Sequence, residues 1–370
     1  MERAGEIRPT ALASGLRRLS EMPVILLILL EWPLFALLNP KFLSINNMLS
    51  LFVSNSYFVV AAIGLFFVFL TGGIDLSIGQ VVAVSSIVSS MVMVRVQTAW
   101  VNAIANPDGP VIGLRQLSTA RGIDVELVRQ VIDSTAWPTI LVGLAVAIIV
   151  GAVFGAVNGL AVGVFRIAPF IATLATQLTA RGLSLVLTQG VSVSGVPRTL
   201  TRLSINIGLP VGGVTIPWAA VIPWILVVVF GLVQAKTTWG RHVILTGSNV
   251  AAARYVGVKT RKVLFSVYLL SGILAGVAGL MVPMCLGAAD PKVGGPMLLP
   301  IVGAITIGGI RDTGGYGNML YAALGIFMFI TLMNGMTYLN LNLPQQQLVY
   351  GVILIISTGI MARIRYAGRE

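Results

Sequence analysis

The stretch VVAAIGLFFVFLTGGIDLSIGQVVAVSSIVSSMVMV, Val59 to Val94, decides the fold. It holds two long apolar runs on either side of TGGIDLSIG (Thr71 to Gly79), and its one charged residue is Asp75. At 1.5 Å per residue, about 20 apolar residues cross the hydrocarbon core of a bilayer. Both runs therefore read as membrane spans joined by a turn. Gly72 and Gly73 end one helix, and Asp75 or Ser77 caps the next, where the helix N-terminus favours a carboxylate. If the glycines instead break a helix inside the bilayer, Asp75 lies in a translocation pathway.

Composition extends that reading to the whole chain. Of 370 residues, 56% are hydrophobic and 10% charged, with a mean hydropathy of +0.95, against about 25% charged in soluble domains. The net charge of +12 does not mark a nucleic-acid binder, because the basic residues gather in a few connections. No acidic residue occurs between Asp133 and Asp290, a pattern that follows the positive-inside rule. A single cysteine, Cys285, forms no internal disulfide, and a single histidine, His242, builds no metal site alone.

Apolar length gives spans at about 22–38, 48–70, 75–96, 136–164, 168–188, 217–235, 263–286, 296–310, 316–338 and 345–362. The expected fold is an all-α integral membrane protein, a polytopic bundle of about ten transmembrane helices with both termini cytoplasmic. Residues 1–21 form a cytoplasmic N-terminal segment, 22–362 a single transmembrane domain and 363–370 a cytoplasmic tail. Arg17 and Arg18 precede the first run, but LLNPKF at its end lacks the small-residue pattern of a cleaved signal, so the run is an uncleaved span. The localisation that follows is multi-pass in a membrane, with the basic connections on the cytoplasmic side.

Two connections are assigned to the outside, 97–135 and 190–216. The first carries a turn signal, NPDGP, and then TARGIDVELVRQVID, spaced for a short amphipathic helix. The second alternates β-branched and polar residues between glycines and prolines, as small strands or extended loops do. In the fourth span Gly143, Ala147, Gly151, Gly155, Gly159 and Gly163 put a small residue at every fourth position, and Gly272 and Gly276 repeat the spacing in the seventh. Such faces let helices approach closely.

No GxxxxGK[ST] phosphate loop occurs in the chain, so an ATP-driven mechanism needs a separate ATPase, which would carry the ATP and Mg, with no cofactor here. An ion-coupled carrier is the alternative from another class, but only Glu31 and Asp75 supply carboxylates near the spans. Glu31 reads as a helix-end carboxylate snorkelling to water. The connection from Lys236 to Lys262 holds six Lys or Arg and no acid. Within it Ser248 or Asn249 caps a short helix through Ala252 and Arg254, closed by Gly257. It reads either as a solvated positive loop or as a lever for a cytoplasmic motor.

Several segments in one order resemble a known family. They are TGGIDLSIG after NNMLSL, RIAPFIATLATQLTARGLSLVLTQG (Arg166 to Gly190), TTWGRHVILTGSNVAAARYVGVKTRKV (Thr237 to Val263), YLLSGILAGVAGL (Tyr268 to Leu280) and GGIRDTGGYGN (Gly308 to Asn318). Together they are similar to the ribose/xylose/galactose/autoinducer-2 type permeases of bacterial ABC importers, from about Asn39 to Arg363. The resemblance implies a permease that translocates a monosaccharide or similar small polyol and catalyses no covalent chemistry. Its implied partners are a cytoplasmic ATPase with two fused nucleotide-binding domains, a periplasmic substrate-binding protein and a second permease subunit, identical or related. It also implies that GSNVAAARYVGV engages the ATPase. Two departures stand out: residues 97–135 are longer than the family's usual connection, and Glu31 is unusual in a first span. Branched-chain amino-acid permeases share a similar layout and remain the rival within ABC import.

Sugars are neutral polyols, so a pathway for them needs amides, hydroxyls and aromatics. Candidates are Asn55, Ser56 and Tyr57 in the second span, Ser85 and Ser86 in the third, Asn158 in the fourth, Thr173, Thr176 and Gln177 in the fifth, and Asn334 in the ninth. Each reads first as an interhelical hydrogen bond and second as a substrate contact. Arg181 is a snorkelling or ion-paired side chain, or a gate contact. Arg311 and Asp312 read as a local pair at a turn. Gly72, Gly73, Gly308 and Gly309 are expected as hinges. The pattern Gly-Gly-Ile followed by a carboxylate occurs twice, and is either an internal repeat or chance.

Overall fold

The computed structural model describes residues 23–107, 109, 111–113, 116, 124–311 and 313–367. The chain is a helical bundle, confirming a polytopic α-helical protein. Its elements are α1 (Pro23–Leu38), α2 (Ile45–Ser54), α3 (Ser56–Leu70), α4 (Ile78–Ala105), α5 (Val125–Ser134), α6 (Ala136–Gly159), α7 (Pro169–Thr188), α8 (Arg198–Arg202), β1 (Gly208–Val211), β2 (Val214–Pro217), α9 (Trp218–Lys236), α10 (Thr238–Ser248), α11 (Val250–Tyr255), α12 (Thr260–Leu286), α13 (Leu298–Ile307), α14 (Met319–Tyr338) and α15 (Leu343–Ala367). Six helices are each long and apolar enough to cross a membrane, and α2 with α3, bent by 48°, raises the number to seven among the described residues. Residues 1–22, Asp312 and the tail at 368–370 lie outside the described residues, so the expected N-terminal segment and the Arg311–Asp312 pair are not part of the structure.

Helix α12 is the axis of the bundle, packed against α6, α3 and α4. The α6 contact follows from the small-residue face. A Cβ added to Gly155 would meet the Tyr268 carbonyl oxygen at 2.6 Å, and one added to Gly272 would meet Gly155 Cα at 2.6 Å, so the two backbones touch over several turns. Farther along α6 the same face packs Gly159 against Phe265 and Gly163 against the Arg261 carbonyl, while Gly143 meets Met93 of α4. Beyond Gly159 the helix widens into a π turn at Leu160–Val164.

Helix α3 is buried at every position from Phe58 to Leu70, as a helix apolar on all sides must be. Partners α12, α9, α13 and α14 surround it. The bend between α2 and α3 falls at Asn55, whose side-chain amide donates to the Leu51 carbonyl at 2.9 Å. That bond replaces a main-chain partner at the break, an identifiable cause of a kink.

Two ends of the bundle are defined by which turns meet. At one end Gly315 N–H donates to the Leu70 carbonyl at 2.9 Å, and Ser248 Oγ donates to the Gly315 carbonyl at 3.2 Å. This end also carries the connection with Arg241, Arg254, Lys259, Arg261 and Lys262 and is called the basic end. At the opposite, loop end, Val193 and Ala289 exchange two backbone hydrogen bonds of 2.9 Å. Ser204 Oγ there donates to the Met284 carbonyl at 2.8 Å.

Several expectations change in detail. Within the helical fold the loop 190–216 takes the small-strand form of its two expected alternatives: β1 and β2 pair antiparallel around Gly212 and Gly213 with φ of 56° and 83°, the left-handed pair that a two-residue hairpin turn requires. Helix α4 continues to Ala105, nine residues beyond the expected end of its span at 96. Val101 on this extension packs with Val128 and Val131 of α5 in a small separate core. Helix α5 is the expected amphipathic helix, started by Asp124, whose Oδ1 accepts from the Glu126 amide at 2.9 Å. Glu31 does not snorkel. It is 7% exposed and accepts a hydrogen bond from Thr331 Oγ1 of α14, because α1 lies against α14 along that face.

Candidate functional site

The turn after α3 places Asp75 at the centre of a buried polar network. Thr71 ends α3, and Gly72 follows with φ of 72°, a conformation that glycine adopts without strain. Gly73 leaves room for Tyr268, since a Cβ there would lie 2.5 Å from the tyrosine oxygen. Tyr268 and Thr173 hydroxyls each reach the Ile74 carbonyl at 3.4 Å.

Asp75 itself is 3% exposed. Its Oδ1 accepts from the Ser77 amide at 3.0 Å and from Ser77 Oγ at 2.5 Å, and its Oδ2 accepts from Ser271 Oγ at 3.0 Å. Asn158 Nδ2 donates to Ser77 Oγ at 2.9 Å, and Asn158 Oδ1 accepts from Thr176 Oγ1 at 2.6 Å. One hydrogen-bonded chain thus runs from α7 through α6 to the turn and on to α12. The cap expectation needs correction here. Ser77 holds the N-cap position of α4 but makes no capping bond, because its hydroxyl is committed to Asp75 and Asn158. Among the described residues no Lys or Arg pairs with Asp75.

The second glycine turn lies against the first. Gly308 ends α13, Gly309 has φ of 84°, and a Cβ on Gly314 would meet Gly72 Cα at 2.8 Å. The turn that follows the second Gly-Gly-Ile segment therefore meets the first at the basic end, through Gly314. Arg311 stacks on the Tyr316 ring, its guanidinium carbon 4.7 Å from the centroid.

Helix α11 projects from the same end. Asn249, and not Ser248, is its cap: Asn249 Oδ1 accepts from the Ala252 amide at 3.0 Å. Gly257 closes it with φ of 86°. Ala253 is buried and anchors the helix, Ala252 and Arg254 are exposed, and Tyr255 and Val256 are 92% and 72% exposed. Arg254 Nε donates to Thr260 Oγ1 at 3.1 Å, which orients it along the start of α12. Helix α10, which precedes α11, has no counterpart in the sequence reading. It is capped by Thr237 and held by buried Val243.

The remaining candidates do not converge on this network. Asn55 is occupied at the α2–α3 bend. Asn334 forms a reciprocal amide pair with Asn47 at 2.9 Å in each direction, joining α14 to α2. Gln177 is half-buried and Arg181 exposed on α7, and Arg181 makes no ion pair among the described residues. Ser85 and Ser86 are buried on α4 without side-chain hydrogen-bond partners among the described residues, and Gly279 packs against them. Ser271 was not singled out from the sequence, although its place in the spacing Ser271, Ala275, Gly279 puts it on the small-residue face of α12.

The described residues contain no group of His, Cys, Asp or Glu that could hold a metal ion. What the arrangement offers is a conformational junction: two glycine turns, a buried carboxylate network and an exposed short helix at one end of a tightly packed bundle.

Comparison with known proteins places this junction in context. Residues 47–358 match the family model described as branched-chain amino acid transport system / permease component. The chain is 31% identical over 331 residues to a ribose import permease protein of Bacillus subtilis, covering 87% of this chain and 86% of the relative. It is 28% identical to a D-allose transport system permease protein of Escherichia coli, covering 88% and 87%. An L-arabinose ABC transporter permease protein of Azospirillum brasilense is 25% identical, covering 90% and 85%. No solved structure matches the chain.

Proposed function

Because the chain belongs to the family of branched-chain amino acid transport system / permease components, we propose that it is the membrane-spanning subunit of an ATP-binding cassette importer for a monosaccharide. The family description names amino acids, but the relatives matched along nearly the whole chain carry ribose, allose and arabinose in their names. That end-to-end match to the ribose import permease is the observation that carries the substrate class. The chain is a multi-pass inner-membrane protein and a transport subunit, not an enzyme.

Ten spans follow if the bent α2–α3 pair counts as one and the shorter apolar helices Val24–Leu38, Gly295–Ile307 and Leu343–Ile356 complete the seven. Their alternation puts the basic end in the cytoplasm by the positive-inside rule, with both termini there. On that orientation α11 faces a cytoplasmic ATPase with two fused nucleotide-binding domains, and the loop end faces a periplasmic binding protein. A second permease copy or a related chain completes the pathway.

Transport then proceeds by alternating access. Nucleotide binding on the partner moves the short helix around Ala252 and Arg254, and the motion passes through Ser248 and Gly315 to the paired glycine turns. Ligands shift such an equilibrium only by their differential affinity for its states, so nucleotide and loaded binding protein must favour different openings. Gly72, Gly73, Gly308 and Gly309 serve as hinges. Asp75 and Asn158 hold the inner gate by their hydrogen bonds, with Asn55, Gln177, Arg181 and Asn334 as further pathway or gate candidates.

The test is uptake of radiolabelled ribose, allose and arabinose into vesicles containing the chain with its ATPase and binding protein. ATP-dependent uptake that survives an uncoupler is expected. Uptake that needs no ATPase partner, or that collapses with the ion gradient, would favour an ion-coupled carrier; leucine uptake would favour the amino-acid branch.

A further inference from the structure

Resting on the sugar-importer reading, a second site emerges at the loop end, far along α3 from Asp75. A cavity of about 310 Å³ opens there between α3, the 287–297 loop and α15, lined among others by Tyr57, Phe58, Asp290, Lys292, Gln346 and Tyr350. Its size lies at the lower end of the roughly 300–1,000 Å³ of small-ligand sites. A larger hollow of about 1000 Å³ beside Phe52, Trp224 and Phe327 is lined almost wholly by aliphatic and aromatic side chains, so it offers a polyol few hydrogen bonds.

The smaller cavity has the chemistry that a neutral sugar needs. Tyr57, half-buried, supplies aromatic surface at the cavity, and Phe58 and Tyr350, both buried, belong to its wall. Tyr350 donates to Gln346 Oε1 at 3.1 Å, and Gln346 Nε2 donates to the Leu341 carbonyl at 2.9 Å. This relay fixes Tyr350 in the cavity wall and orients Gln346. The Tyr57 hydroxyl makes no hydrogen bond among the described residues, and Lys292 makes no ion pair there although Asp290 is two residues away. Asp290 Oδ1 accepts the Lys292 amide at 2.8 Å, which holds the turn and sets both side chains at the cavity.

The cavity is also tied to the outer loop. Ala289, next to Asp290, exchanges two 2.9 Å backbone bonds with Val193. A protein seated on the 190–216 loop is therefore one hydrogen-bonded step from the cavity wall. We propose that this cavity is an entry subsite for a neutral monosaccharide, with Tyr57, Lys292 and Gln346 contacting its hydroxyls and the Val193–Ala289 bridge linking it to the docked donor.

The test uses the full transporter in proteoliposomes, with ribose, allose and arabinose as probes. Lys292→Met alters an exposed residue, and Tyr57→Phe removes a single hydroxyl, so both should assemble normally by size exclusion. The subsite predicts a five- to tenfold rise in half-saturating loaded binding protein for each variant. Sugar-dependent saturation-transfer signals from the permease alone in nanodiscs should fall in both variants and be absent with leucine. Normal wild-type sugar uptake with unchanged uptake and unchanged signals in both variants would overturn the subsite alone. Wild-type uptake of leucine and of no sugar would overturn the importer reading and the subsite with it.

Discussion

Ser271 on α12 donates its hydroxyl to Asp75 Oδ2 at 3.0 Å, across 196 positions of chain. The bond joins the turn between α3 and α4 to the central helix, and Ser77 and Asn158 extend it to α6 and α7. Asp75→Ala leaves the Ser77 amide and the Ser77 and Ser271 hydroxyls buried without their acceptor, a loss of roughly 1–3 kcal/mol for an orphaned group. Asp75→Asn keeps one carbonyl oxygen, and the serine hydroxyls can turn to accept from its amide. Thermal unfolding in detergent should therefore rank wild type above Asp75→Asn and Asp75→Asn above Asp75→Ala. Maximal uptake should fall in the same order while sugar preference stays fixed. A shift in preference with stability unchanged would place Asp75 in the pathway instead.

The α6–α12 contact makes a steric prediction with an internal control. A Cβ on Gly272 lies 2.6 Å from Gly155 Cα, backbone against backbone, where nothing can move aside cheaply. Gly272→Val should abolish folded protein by fluorescence-detected size exclusion. Gly182, on α7, has nothing within 4 Å of an added Cβ, so Gly182→Ala should leave yield and uptake unchanged. Recovery of folded Gly272→Val at wild-type yield would contradict the packing described.

The Asn47–Asn334 pair can be weighed by a double-mutant cycle. Interhelical hydrogen bonds in membranes couple by about 0.6 kcal/mol on average and about 1.7 at most. Asn47 also donates to the Phe42 carbonyl at 2.7 Å, so Asn47→Ala should cost more than Asn334→Ala. The coupling, read from unfolding of both single variants and the double variant, should be favourable and fall within that range.

What was legible in the sequence follows the range of the interaction. The Gly143–Gly163 face was readable because a four-residue spacing is a property of the helix itself, and the structure puts that face on α12 and α4. The α11 start was readable as a cap at Ser248 or Asn249 and a Gly257 stop, both local, and the structure selects Asn249. Helix α10 was not, since Trp239, Gly240, Arg241 and His242 give little apolar length, and Val243 is fixed by burial against distant helices. Glu31 was misread for the same reason. Trp32 and Pro33 beside it suggest a helix end, whereas its environment is set by Thr331, 300 positions away. The two glycine turns showed a shared pattern, but only the Gly72–Gly314 contact shows that they pack together.

Helix α11 provides the sharpest test of energy transfer. Its exposed surface carries Ala252, Arg254, Tyr255 and Val256, and buried Ala253 fixes it to the bundle. In Ala252→Asp with Arg254→Glu, the net charge of the projecting surface changes by three units without touching the anchor. The variant should fold, since both sites are exposed. It should lose co-purification with the ATPase and at least tenfold in uptake. Asn249→Ala acts differently: it removes the acceptor for the Ala252 amide at 3.0 Å, a cap worth about 1 kcal/mol. Partial fraying should lower uptake a few-fold while leaving ATPase association measurable. If the charge-reversed variant binds the ATPase and transports at the wild-type rate, the nucleotide-driven motion must enter through another surface of the basic end. Arg241 and Lys262 would then be the next positions to reverse, because they flank α11 on α10 and α12.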